Sequence, residues 1–541
     1  MDIRDTPLRW HGDRYPSTDP AGIYHALADL DQPCFIALTA GGIGAVSGGF
    51  AAAAGDGLPL LAAAQPLPPE RLGSAAFLAA HGVRQPYMAG AMAGGIASAD
   101  MVIALAREGF LSSFGAAGLL PRTIENALVR FAAEIPGLPH AVNLIHSPSE
   151  DRLEREAVEL FLRHGVRCVE ASAYMDLTPH VVRYRLAGLR RDQDGRPVTE
   201  NRLIAKISQA ETAERFMRPA PAALVNALLE QGLITADQAA LAGRVPLADD
   251  ITAEADSGGH TDRRPLPALL PTILRLRDTV QRERRYTVPV RVGAGGGLGT
   301  PVAVAAAFAM GAAYVVTGSV NQSCLESGAS TRSKAMLAEA GIADCAMAPA
   351  ADMFEMGVEL QVLKKGTLFP MRARRMYQLY HAYDGLESIP ASDRAKLEQQ
   401  IFRRTLEDVW QECVHYFERR DPEQLRRAAN SPKRRMALVF RWYLGMSSRW
   451  AVTGDEDRAM DYQVWCGPAM GSFNDWVTGS YLKPPGNRRV VDVAHHLMRG
   501  AAFHTRVAQL RSAGVHIPTT AADYRPVPLE TPAQSSSPGV R

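Results

Sequence analysis

The sequence predicts an α/β protein built around a closed (β/α)8 barrel, with a small N-terminal β-containing segment and a C-terminal, mostly helical subdomain. Three observations carry this. Eight short apolar runs alternate with amphipathic segments between residues 85 and 349. The last two runs lead into glycine-rich stretches, as strands feeding ligand loops do. Beyond residue 350 the pattern changes to long helical periodicities rich in arginine. Eight βα repeats favour a closed barrel over an open doubly wound sheet.

Residues 1–84 are rich in alanine and glycine. Within them PCFIALTAGGIGAVSGGF (33–50) reads as strand, glycine turn and strand. Its glycines are not followed by a helical pattern, so it is not a dinucleotide-binding fingerprint. The barrel strands are expected at PYMAGA (87–92), SSFGAA (112–117), AVNLIH (141–146), RCVEASA (167–173), LIAKIS (203–208), DITAEA (250–255), VPVRVGA (288–294) and AYVVTGS (313–319). Between them lie helices. Pro121 opens one with apolar residues at Ile124, Leu128, Phe131 and Ile135. Ser149 is a cap for another, carrying Leu153, Ala157, Leu160 and Phe161. A helical insertion is expected over 210–247, the Arg-rich helical subdomain over 350–518, and a Pro- and Ser-rich disordered tail over 519–541.

Composition bounds the function classes. With 47% hydrophobic and 21% charged residues and a net charge of +2, the chain resembles an ordinary soluble protein, with no reason to expect nucleic acid or a membrane surface as partner. The opening MDIRDTPLRWHGDR lacks an apolar segment, and the longest uncharged run, 292–325, is broken by glycines and Pro301. Six scattered cysteines form no CxxC pair, which predicts a reduced, cytoplasmic setting and no metal cage. Charge is uneven: residues 361–450 hold 18 Lys and Arg against 10 Asp and Glu, a local net of +8 that leaves −6 elsewhere.

In a barrel the chemistry lies where strands end. Strand seven runs into Gly295 and Gly296, and strand eight into Gly318 and Ser319. Neither loop has the GKS/T arrangement of a triphosphate-binding loop. Two uncharged, amide-rich loops suit a single phosphate, as on FMN. Strand one ends in Ala89, Gly90, Ala91 and Met92, small enough to let a flat ring lie against backbone. Asn143 on strand three is either a ligand contact or an amide bracing a loop. Lys206 on strand five either complements a reduced, anionic flavin or is a rim lysine paired with Asp249 or Asp250. Strand six runs into EADSGGHTD (254–262), which by itself reads first as a surface turn that carries a histidine and only second as a catalytic wall.

These stretches, with RVGAGGGLGTP, VVTGSVNQ and DMFEMGVELQVLKKGTLFP, resemble the PfaD family of trans-acting enoyl reductases of polyunsaturated fatty acid and trans-acyltransferase polyketide synthases. More distantly the barrel resembles nitronate monooxygenases and the FMN-dependent enoyl-acyl-carrier-protein reductase of bacteria. The resemblance implies FMN in the barrel and NADPH as reductant. It maps the small-Gly-Gly-His signature onto Ser257, Gly258, Gly259 and His260, with His260 as the catalytic residue facing the flavin. The phosphate loops map onto Gly295 with Gly296 and onto Gly318 with Ser319. The usual GGIGTP is GGGLGTP here, with an extra glycine before it, a change that bears on flavin affinity. An acyl carrier protein is the implied partner, with Arg372, Arg374, Arg375, Arg403 and Arg404 as its docking face or as a solvated helical surface, and a homodimer as one allowed assembly. The alternatives are a nitronate monooxygenase-like oxidase, using the same histidine as base, and a non-catalytic scaffold within the synthase.

Overall fold

A computed structural model describes residues 8–53, 55–146 and 151–529. The N-terminal segment forms a sheet of β1 (Arg9–His11), β2 (Cys34–Thr39), β3 (Gly42–Ser47), β4 (Phe50–Ala52) and β5 (Leu58–Ala64), in the order β3-β2-β5-β1-β4. The expected strand–turn–strand is the β2–β3 hairpin, closed where Thr39 pairs Gly42. Gly42 has φ +117°, a conformation that glycine reaches without steric cost.

The barrel strands are β6 (Tyr87–Ala89), β7 (Leu111–Phe114), β8 (Ala141–Ile145) and β9 (Cys168–Ser172). A hairpin of β10 (Leu189–Arg191) and β11 (Pro197–Thr199) intervenes before β12 (Arg202–Ile207) and β13 (Asp250–Glu254). After β14 (Gly259–His260) come β15 (Arg291–Gly295) and β16 (Val315–Thr317). The closed order is β12-β13-β15-β16-β6-β7-β8-β9, all parallel. Helices outside and packed side chains inside bury both faces, so every residue of β7, β9 and β15 is buried. That double burial makes the strands read as apolar runs. The ring closes where β16 meets β6, Val315 opposite Tyr87 and Thr317 opposite Ala89. The Tyr87 hydroxyl lies 2.6 Å from Thr317 Oγ1 and donates to Asn321 Oδ1 at 3.2 Å.

Ion pairs close the N-terminal end. Asp250 is fully buried, bound by Arg291 through both oxygens (2.6 and 2.7 Å) and by His81 at 2.8 Å. Burial alone would raise its pKa, but His81 and Arg291 outweigh that and hold the carboxyl below its usual range. Asp249 takes the buried Arg185. Both acids are therefore spent at the end of the barrel opposite its mouth, and neither pairs with Lys206.

The insertion is three helices, Ala210–Met217, Ala222–Glu230 and Ala236–Ala242, the last opened by a capping box of Thr235 and Gln238. Pro121–Glu134 is helical and buries Ile124, Leu128 and Phe131; Ser149 lies outside the described residues. Two expectations change. The boundary at 349/350 falls inside a hairpin, because β17 (Cys345–Pro349) pairs β18 (Glu359–Leu363), which in turn pairs β14. The tail is ordered where it is described: Ala521 and Tyr524 are buried, and the Tyr524 hydroxyl is 3.0 Å from His496 Nδ1. Apolar contacts anchor it, against the coil that its prolines suggest; residues 530–541 lie outside the described set. No helix among the described residues is long and apolar enough to cross a membrane.

Helix Val490–Ser512 locks the N-terminal sheet to the rest. Its Arg506, fully buried, donates to the carbonyls of Leu27, Asp29, Leu30, Gln32 and Gln65 at 2.7–3.3 Å. Replacing Arg506 by methionine leaves these carbonyls without their cationic donor, a loss of about 3 kcal/mol of local stability. Hydrogen exchange of the β2 and β5 amides should then accelerate by about a hundredfold while β7 and β9 stay protected.

Candidate functional site

The strand ends enclose one large cavity of about 640 Å³ at the C-terminal mouth of the barrel. Its floor follows from register. Asn143 pairs Glu170, Glu170 pairs Ile204, and Lys206, two residues further along β12, pairs Thr252. With a side-chain period of two, Asn143, Glu170, Lys206 and Glu254 all point into the barrel. Lys206 Nζ is 2.8 Å from Glu254 Oε1. Burial pulls its pKa down, but Glu254 and Glu170 more than compensate and leave it raised, so the ammonium persists. Glu170 is completely buried; one carboxylate oxygen accepts the Ala91 amide at 2.8 Å and the other has no hydrogen-bond partner among the described residues. Burial pushes its pKa up, against the pull of Lys206. Asn143 donates to Glu170 O and to Ser172 Oγ, at 3.0 and 2.9 Å, so it braces the neighbouring strand while lining the cavity.

The wall comes from elsewhere in the chain. His260 is on β14, in the small sheet with β18, and its Nε2 is 3.1 Å from Asp352 Oδ1. Its ring meets Trp465 edge-on, with centroids 5.6 Å apart. Gln361 of β18 pins the preceding loop, donating to Asp256 Oδ1 and to Ser257 O at 2.9 and 2.8 Å.

Of the residues singled out in the sequence, Gly90, Ala91, Met92, Asn143, Lys206, Ser257, Gly258, His260, Gly295, Gly296, Gly318 and Ser319 meet on this cavity. Ala89 and Gly259 do not line it. Ala89 is fully buried in the barrel wall, and Gly259 lies under Trp465. The structure also gives the glycines different reasons. A Cβ on Gly258 would come within 2.9 Å of the Cys466 backbone, and one on Gly259 within 2.6 Å of the Trp465 ring. They admit the 465–467 segment rather than a flat ring. Likewise Gly90 is needed because Val316 would meet its Cβ at 2.8 Å. Gly297 and Gly318 differ: a Cβ there would meet nothing, which leaves backbone open to a ligand. Ser319 Oγ accepts the Gly467 amide at 3.1 Å and so ties the strand-eight loop to that same segment. Glu170 and Trp465 join the site without having been expected there. An acid inside the apolar run CVEAS was a usable signal for the first; nothing local marks the second.

Residues 10–66 match the model of the fatty acid synthase subunit PfaD N-terminal domain, and residues 383–462 match the inserted helical domain of [acyl-carrier-protein] S-malonyltransferase. Over 448 residues the chain is 52% identical to one of the polyunsaturated fatty acid synthase subunits of Thraustochytrium sp., covering 82% of this chain and 30% of that protein. It is 42% identical over 444 residues to the polyketide biosynthesis protein PksE of Bacillus subtilis, covering 82% and 58%. The chain thus spans only part of these relatives. The crystal structure of the enoyl reductase domain of MlnA, from the macrolactin cluster of Bacillus amyloliquefaciens, superposes with a TM-score of 0.79 at 38% identity, covering 82% of this chain and all of that one.

Gly259 has φ +81° besides its contact with Trp465. Gly259→Ala should cost about 1–3 kcal/mol in thermal unfolding and shift the tryptophan emission as Trp465 is displaced. An unchanged melting curve would show that the indole is not seated there.

Proposed function

The chain belongs to the PfaD family, and from that premise we propose that it is an FMN-dependent enoyl reductase acting in trans with a polyketide or polyunsaturated fatty acid synthase, with NADPH as reductant. One observation carries the reading: an ammonium bound by Glu254 on the cavity floor, with a histidine–aspartate pair on its wall. The residues present fit a flavin mononucleotide. The open backbone at Gly297 and Gly318 and the glycines between β15 and the following helix would take its phosphate, and Lys206 and Asn143 the polar edge of its ring. When bound, FMN supplies the transfer of hydride from NADPH to the β-carbon of an enoyl thioester.

The protein's own groups do the rest. Lys206 places a positive charge beneath the ring site, where negative charge gathers on reduction. Because Glu254 holds that ammonium at 2.8 Å, its position is set before any ligand arrives. His260 is the acid for the α-carbon. Asp352 fixes the ring through Nε2, so Nδ1 is the nitrogen left to hold and deliver a proton. Burial tends to raise the Asp352 pKa, but the hydrogen bond and charge of His260 outweigh it and hold the carboxyl below its usual range. Asp352 therefore remains ionised as the orienting group. Trp465 packs against the imidazole in a T-shaped contact.

Most of the arginines that the sequence offers as a docking face or a solvated helical surface are paired within the chain, which supports the second of these readings. Arg372 is paired with the buried Asp461, Arg375 with Asp393 at 2.9 Å, and Arg403 with Asp461 at 3.9 Å. Arg404 binds Glu412 at 2.6 Å and covers Trp442. Only Arg374 of the five has no such partner among the described residues. Internal pairing engages four of the five guanidinium groups.

His260→Ala should retain FMN, read from the visible absorbance of the purified protein, and lose about a hundredfold in turnover of an enoyl thioester. Full turnover with flavin bound would remove His260 from the chemistry.

A further inference from the structure

The EADSGGHTD stretch continues into two arginines that the reaction above leaves unused. The loop is closed on itself and then onto the barrel. The Asp256 amide donates to Arg264 O at 3.0 Å, and Thr261 Oγ1 accepts the amides of Ser257 (3.3 Å) and Arg263 (3.1 Å). Asp262 also lines the cavity, where its carboxylate accepts Ser208 Oγ at 2.6 Å and Gln209 Nε2 at 3.2 Å. Between these anchors Arg263 has φ +51°, a left-handed conformation that a long side chain rarely adopts. It lines the cavity and is exposed; Arg264 beside it is exposed but is not part of the lining. Among the described residues no carboxylate or carbonyl binds the Arg263 guanidinium, and the adjacent Asp262 is already committed elsewhere. Glu359, an exposed carboxylate of the cavity lining, belongs to β18 and not to this loop.

An unpaired planar fork, held by a strained backbone at the mouth of a deep cavity, suits an anion with several oxygens. We propose that Arg263, supported by Arg264, is a phosphate subsite for an elongated substrate whose reacting end reaches the floor while its phosphate ester stays at the mouth. The proposal rests on the enoyl reductase reading, under which two substrates have that form. One is a thioester on a phosphopantetheine arm. The other is a nicotinamide dinucleotide phosphate. The shared chemistry is a phosphate ester at the end of the molecule away from the reaction.

The test titrates the full-length protein and its Arg263→Ala and Arg263→Lys variants with two matched pairs: 4′-phosphopantetheine against pantetheine, and NADPH against NADH. The wild type should bind the member with the additional phosphate (4′-phosphopantetheine, or NADPH with its 2′-phosphate) about tenfold more tightly in one pair. Arg263→Ala should abolish that preference without weakening the member that lacks the additional phosphate, and Arg263→Lys should keep part of it. The responding pair identifies the source of the phosphate. No preference in either pair, or a preference that Arg263→Ala retains, overturns the subsite. If the preference depends on Arg263 but the flavin-loaded protein reduces no carrier-borne enoyl thioester, the reaction assignment fails and the subsite stands. Normal turnover with no Arg263-dependent preference fails the subsite alone.

Discussion

Everything at the mouth of this molecule depends on the seam between β16 and β6. Val315, Val316 and Thr317 pair with Tyr87, Met88 and Ala89 across more than two hundred residues of chain, and the Tyr87 hydroxyl clasps Thr317 and Asn321. Closing the ring there places Gly90, Ala91 and Met92 beside Gly318 and Ser319. It also makes the remaining strand ends face one another. An open sheet would leave the same residues in a row, and no polar floor would form. Closure costs loop entropy that grows slowly with chain length, and the doubly buried strands supply the apolar burial that offsets it.

The second constraint is the charge inside the ring. Burying ions is costly unless each is paired and hydrogen-bonded. At the N-terminal end Asp250 meets that condition completely, with Arg291 and His81 on it. At the C-terminal end the condition is only partly met: Lys206 has Glu254, while Glu170 keeps one oxygen without a partner among the described residues. One end of the barrel is thus finished as structure and the other retains unspent polarity, as expected of a ligand-binding floor.

Much of this was legible in the sequence. All eight barrel strands could be placed, because burial on both faces leaves continuous apolar runs, and the two glycine loops mark strands seven and eight. The small antiparallel sheet was not legible: β14 has two residues and takes its partner from β18, about a hundred positions away. For the same reason the purpose of Gly258 and Gly259 could not be read locally, since Trp465 and Cys466, which crowd them, come some two hundred residues later. The arginine-rich helices are a different case. Composition counts charge but not pairing: Asp393, Glu412 and Asp461 engage four of the five named guanidinium groups, while the net positive charge of the region, which already includes Asp393 and Glu412, stands. Glu170 was visible as a single acid in an apolar strand, yet its meaning needed the register that sets it against Asn143 and near Lys206.

The central claim is that the cavity above Lys206 and beside His260 carries flavin electrons to an enoyl thioester. Anaerobic absorbance of the FMN-loaded protein tests it in a single trace. NADPH should bleach the flavin band, and an enoyl thioester on its carrier protein, added without oxygen, should restore it. A protein that stays colourless after incubation with FMN, or whose bleached band returns only when oxygen is admitted, would contradict the account.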